Sequence, residues 1–207
     1  WQMIPFDVQA NAVQTLPGGD VQRFRFRAAA EADVVVIAAA GNAGAPVNDL
    51  PAGFSEVISI GATNQAGGRY VNEVTGEASN WSDQQTLLSL AAPGDAIWST
   101  GYDAPFSDAY TTFFGTSQAA PFVSGLAALV LQVEPSFPRG DLEDLLRDHA
   151  EPIIVDTDDG PVEWLRIDAA ATIGYVLDDD GDGFSECDGD CDDDNGDVSP
   201  AADEQDN

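Results

Sequence analysis

The chain has 207 residues, enough for one domain with an appendage. Hydrophobic residues make up 43% of it, which argues against wholesale disorder, and no run reaches the ~20 apolar residues of a membrane span. A net charge of −30, from 37 acids against seven arginines and no lysine, argues against nucleic acid or anionic lipid as partners, because their phosphates would be repelled.

The acid is unevenly spread. Residues 178–207 hold 14 of the acidic residues and no basic one, leaving 23 acids and seven arginines in the rest. This shift in composition divides the chain into a globular part, residues 1–176, and an acidic tail, residues 177–207. The chain opens on Trp1, with neither an initiator Met nor a charged and apolar leader, so it is expected to be a fragment or a processed product.

Taken in order, residues 1–27 are interrupted by Pro5, Pro17 and the Gly18-Gly19 pair. Within them residues 23–27 alternate Arg and Phe as a strand does. Residues 28–32 suit the end of a helix. The run Val34-Val35-Val36-Ile37 is apolar on both faces, the mark of a central parallel strand covered on each side. Further strands are predicted at 57–60, around 87–90, and at 97–100. An apolar stretch at 118–132 predicts a helix, with Pro121 tolerated in its first turn and burial all round. Shorter helices are predicted at 142–149 and 167–173. Strands alternating with helices give an α/β fold with a mostly parallel sheet flanked by helices, followed by a small irregular acidic tail.

Acyl transfer needs a nucleophile, a base for its proton, and donors aimed at the developing oxyanion. Ser117 stands where a loop enters the predicted apolar helix, a place with free N–H groups and partial positive charge. Standing alone, a Gly-Thr-Ser reads as an ordinary helix cap. Here the stretch Gly115-Thr116-Ser117-Gln118-Ala119-Ala120-Pro121-Phe122-Val123-Ser124-Gly125 resembles the nucleophile motif of the subtilisin-like serine peptidases. Residues 34–42 with Gly44 are similar to that family's strand ending in its oxyanion asparagine. Pro51-Ala52 with residues 57–62, and Leu90-Ala91-Ala92-Pro93-Gly94 with Trp98-Ser99-Thr100, resemble two further landmarks, in the family's order. The likeness covers about residues 28–176.

The resemblance implies the C-terminal portion of a subtilisin-like fold and a serine endopeptidase acting on protein or peptide substrates. It implies Ser117 as nucleophile, Asn42 with the Ser117 N–H as oxyanion donors, and Ala38, Ala39, Ala40 and Gly41 as one wall of the substrate pocket. Small residues there leave room for a sizeable apolar group. In this family an Asp and a His precede the oxyanion asparagine, and no segment before Asn42 resembles either motif. The single histidine, His149, follows Ser117 by 32 residues on a predicted surface helix and reads as a solvated residue. The chain alone is therefore expected to be inactive and poorly folded, its partner being the missing N-terminal half of the same domain. The family also implies a secreted or cell-envelope protein.

In the tail, Asp178-Asp179-Asp180-Gly181-Asp182-Gly183 fits D-x-D-x-D-G, the start of a calcium loop. Asp178, Asp180 and Asp182 with the Phe184 carbonyl are the candidate ligands, and calcium the expected ion, because all the donors are oxygen. Position twelve is Gly189 in place of the usual Glu, so the loop is not a regular EF-hand. The tail resembles secreted bacterial metal-binding repeats rich in Asp and Cys, which implies a local disulfide between Cys187 and Cys191. A disordered acidic tail is the simpler alternative. Asn80-Trp81-Ser82 matches a glycosylation sequon. The rival to a peptidase is a non-catalytic, calcium-dependent binding module on a degenerate peptidase fold.

Overall fold

The structure, a computed structural model, describes residues 19–81, 88–103 and 107–178. The first described element corrects the sequence reading. Residues 23–27 belong to helix α1 (Gly19–Glu31), not to a strand. Three alanines follow the alternating pairs, and alanine and arginine both favour helix. Arg27 reaches Glu31 one turn on at 3.1 Å, and the Phe26 ring lies 5.6 Å from Phe54. A two-residue alternation makes a strand only where a neighbour pairs with it, and no described strand does so here.

The main sheet has the order β1-β2-β3-β7-β6. Strands β1 (Ile37–Ala39), β2 (Ile58–Thr63), β3 (Leu90–Pro93) and β7 (Gly160–Arg166) run parallel, and β6 (Glu151–Thr157) closes one side antiparallel to β7. The expected α/β architecture with a mostly parallel sheet flanked by helices is the one observed. Strand boundaries lie later than predicted: β1 begins at Ile37 because Val34 is exposed, and β2 runs on through Gly61 to Thr63. Two hairpins were not anticipated. One is β4 (Ile97–Asp103) with β5 (Ser107–Phe113), and the other is β6 with β7, turning at Gly160 with φ +113°.

The pleat sends alternate residues of the central strands into two separate cores. Ile58, Ile60 and Ala62 of β2 join Leu90 and Ala92 of β3 beneath α2 (Thr116–Val133) and α3 (Arg139–Asp148). On the other face Ala40 and Ala91 meet Trp81, Leu88, Val155 and Trp164. Gly61 lies beneath Trp164, and a Cβ there would stand 3.3 Å from the indole ring.

Helix α2 begins two residues earlier than predicted, so Pro121 falls in its second turn. Nor is α2 buried all round. Ala119, Val123, Leu126, Ala127 and Val130 face the core, whereas Phe122, Leu129 and Val133 are exposed. By length and composition this helix could cross a bilayer, yet its inner row packs on β1, β2 and β3. The bond from Gly115 N–H to the Gly94 carbonyl, 2.7 Å long, brings its N-terminus to the C-terminal end of β3. That is where parallel sheets collect their functional residues. Helix α4 (Ala169–Leu177) starts at Asp168, whose carboxylate accepts from Ala170 N–H and Ala171 N–H at 3.0 Å each.

Candidate active site

The loop after β1 and the start of α2 are tied together by one hydroxyl and one carboxamide. Gly41 N–H donates to the Thr116 Oγ1 at 3.1 Å, and that hydroxyl donates to Asn42 Oδ1 at 3.2 Å. Thr116 N–H, a first-turn donor that the helix leaves unpaired, also donates to Asn42 Oδ1, at 2.9 Å. Both bonds engage the oxygen of Asn42. Its Nδ2 has no partner among the described residues. Gly115 permits this approach: its φ is +108°, and a Cβ there would stand 2.8 Å from both the oxygen and the nitrogen of the Asn42 side chain.

Sequence reasoning missed the residue that clamps this loop. Asn80 is fully buried, its Oδ1 accepts from Ala43 N–H at 2.9 Å and Ala45 N–H at 3.1 Å, and its Nδ2 donates to the Ala40 carbonyl at 2.8 Å. Its backbone N–H donates to the Gly41 carbonyl at 2.8 Å. Three side-chain bonds at about 1 kcal/mol net each hold the segment on both sides of Asn42. This also corrects the sequon reading. The amide that would carry a glycan is buried and already engaged, and Ser82 lies outside the described residues. The only signal in the sequence was an asparagine in a short polar run.

Ser117 occupies the first turn of α2 behind a glycine cap, and it is exposed. Its N–H has no i−4 carbonyl, and the helix dipole adds partial positive charge beside its hydroxyl. That hydroxyl has no hydrogen-bond partner among the described residues. It opens on a cavity of about 400 Å³ lined by Ile97, Ser99, Phe113, Gln118, Pro121 and Phe122, so the β4–β5 hairpin forms one side of the site. Gln118 Oε1 is buried there without a partner among the described residues.

The remaining candidates fall into three groups. Ala38 and Ala39 are half-buried at the end of β1, but the Ala40 methyl is fully buried in the Trp164 core, so Ala40 offers a pocket only its backbone. Gly41 adjoins Asn42 directly. His149 is the C-cap of α3: its Nδ1 lies 3.0 Å from the Leu145 carbonyl and its ring 4.4 Å from that of Tyr175. It is half-buried rather than solvated, and it does not line the Ser117 cavity. Asp178 caps the C-terminus of α4. Asp180, Asp182, Phe184, Cys187 and Cys191 lie outside the described residues, and among the described residues no three His, Cys, Asp or Glu side chains gather as metal ligands.

Known proteins share this arrangement of sequence. The model of the subtilase family, Peptidase_S8, matches residues 8–186. Alkaline elastase YaB of Bacillus sp. (strain YaB) is 35% identical over 117 residues, which are 56% of this chain and 28% of the relative. An extracellular protease of Xanthomonas campestris pv. campestris is 36% identical over 105 residues, 49% of this chain and 17% of the relative. Subtilisin BL of Lederbergia lenta is 35% identical over 117 residues, 56% of this chain and 39% of the relative. The chain thus spans well under half the length of each of these relatives.

Proposed function

The chain belongs to the subtilase family, and on that premise we propose that it carries the nucleophile and the oxyanion donors of a serine endopeptidase. The observation that supports this reading is the one-sided anchoring of Asn42. Thr116, the residue before Ser117, engages its oxygen, which leaves the Nδ2 free to donate to a substrate. In the reaction Ser117 Oγ attacks the scissile carbonyl of a peptide, and the carbonyl oxygen gathers negative charge between these two donors. Collapse of the tetrahedral species expels the amine and leaves an acyl-enzyme, which water hydrolyses.

The proton of Ser117 needs an acceptor. A serine hydroxyl is a weak nucleophile until an adjacent base takes its proton, and His149 is engaged by Leu145 and Tyr175. In this proposal the Asp and the His come from outside these 207 residues. Two features suit the docking of further chain: the exposed Phe122, Leu129 and Val133 face of α2, and the outer edge of β1, with which no strand of the described residues pairs. The name of the Xanthomonas relative supports a protein acting outside the cell, on protein substrates met there.

A fluorophosphonate probe tests the reading, because it reacts only with a serine whose proton has somewhere to go. The full-length protein is expected to carry the adduct on Ser117, and the 207-residue chain alone to carry none. An adduct at another residue, or none in the full-length protein, would favour the non-catalytic binding module.

We read the tail as a calcium site. The D-x-D-x-D-G loop of such sites follows directly on a helix, and α4 ends at Leu177 with Asp178 as its cap. Asp178, Asp180 and Asp182 with the Phe184 carbonyl form an oxygen-only donor set that suits a hard cation. Calcium added to the chain in a calorimeter is expected to bind with a resolved heat, lost in Asp180→Asn/Asp182→Asn. No heat in the parent chain overturns this part of the reading.

A further inference from the structure

The turn that carries Asn42 is crowded by a carboxylate. Asp49 N–H donates to the Ala40 carbonyl at 2.8 Å, and Gly53 N–H donates to the Asp49 carbonyl at 3.0 Å, so the Asp49 backbone is fixed against the end of β1. Its side chain fills the space that a side chain on Gly41 would occupy. A Cβ on Gly41 would collide with the Asp49 carboxylate on one side and with the Asn80 amide on the other, its distance to Asp49 Cγ being 2.6 Å. Gly41 has φ +104°, so glycine is required here on backbone grounds as well.

No cation pairs with this carboxylate among the described residues. The chain has no lysine, and the four ion pairs among the described residues engage Arg23, Arg27, Arg139 and Arg166 with glutamates. Partial burial pushes the Asp49 carboxyl above its ordinary range, as expected of a group that is losing water without gaining a charged partner. Asp49 remains open to solvent, and so within reach of an incoming group.

We infer that Asp49 is a specificity-determining residue, selecting substrates whose side chain at the Ala38–Gly41 wall is arginine or lysine. This rests on the peptidase reading above and deepens it by naming the substrate class. Small residues in the wall leave room for a long side chain, and the Ala40 methyl, turned into the core, does not narrow it. The cation at the tip of that side chain then meets Asp49, whose carboxylate lies against Gly41, the residue before Asn42. A net charge of −30 draws cationic peptides towards the surface in the first place.

The test uses the full-length protein and tetrapeptide nitroanilides that differ only in the residue before the scissile bond: Arg, Lys, Phe or Ala. The expected result is a kcat/KM about 10- to 100-fold higher for Arg and Lys than for Phe, the worth of one charge-assisted bond in a partly wet pocket. Asp49→Asn is expected to collapse that ratio towards unity, and Asp49→Glu to keep most of it. Turnover that favours Phe or Ala overturns the inference and leaves the peptidase reading standing, as does an Asp49→Asn variant that loses activity equally on all four substrates. No turnover of any substrate removes the peptidase reading and the inference together.

Discussion

Ser117→Ala in the full-length protein lowers kcat on a peptide substrate by about 10⁶-fold, a magnitude taken from the corresponding serine of subtilisin rather than derived from this geometry. The physical reason is local. In the proposed mechanism Ser117 supplies the oxygen that adds to the carbonyl, and without it the oxyanion donors have no developing charge to stabilise. Asn42→Leu keeps the nucleophile and removes one oxyanion donor, so its cost is smaller, about 10²- to 10³-fold in kcat with KM little moved, again on the precedent of subtilisin. The two losses do not add: a double variant is expected to be no worse than Ser117→Ala, because the donors serve only a reaction that the serine begins. Asn42→Leu carries a second cost. It strips Thr116 N–H and Oγ1 of their acceptor, and an unsatisfied donor at a part-buried helix start costs about 1–3 kcal/mol of stability. Asn42→Asp separates the effects, since it keeps an oxygen for Thr116 while removing the amide donor. If Asn42→Asp retains full kcat, the oxyanion role of Asn42 is wrong.

Trp164→Ala is expected to destabilise the fold by about 3–5 kcal/mol, read as a lower urea midpoint at unchanged slope. Trp164 is 3% exposed, lies over Gly61 of β2, and meets Trp81, Leu88, Ala91 and Val155 in the second core. Gly61 and Ala91, strand residues of this core, are too small to fill the space. Trp164→Phe should cost much less, since it keeps an aromatic ring in this core and removes an indole Nε1 that is buried with no partner among the described residues. The consequence reaches the site. Ala40 belongs to the same core and immediately precedes Gly41, so loosening this face also loosens the loop that carries Asn42. A Trp164→Ala protein as stable as its parent would mean that this face packs otherwise.

The sequence alone determined the α/β class and the mostly parallel sheet, and it nominated the two residues at the centre of the candidate site. The class is legible because a run such as Val34 to Ile37, and an apolar stretch such as the one behind Ser117, express burial through periodicity, a property of neighbours along the chain. Ser117 and Asn42 were legible because their motifs are contiguous. What stayed hidden depends on contacts between distant segments. The Arg-Phe alternation of residues 23–27 could not reveal that no strand pairs with it and that Phe54 waits for Phe26. The β4–β5 and β6–β7 hairpins carry no clean alternation, and α2, apolar throughout, gave no sign that Phe122 and Leu129 face away from the core. Asn80 and Asp49 stand 38 and seven residues from Asn42 in the chain, and each is unremarkable among its neighbours. Only the folded chain brings a buried carboxamide and an unpaired carboxylate onto the same glycine, because that meeting is set by the register of the sheet and the path of the loops, not by any local pattern.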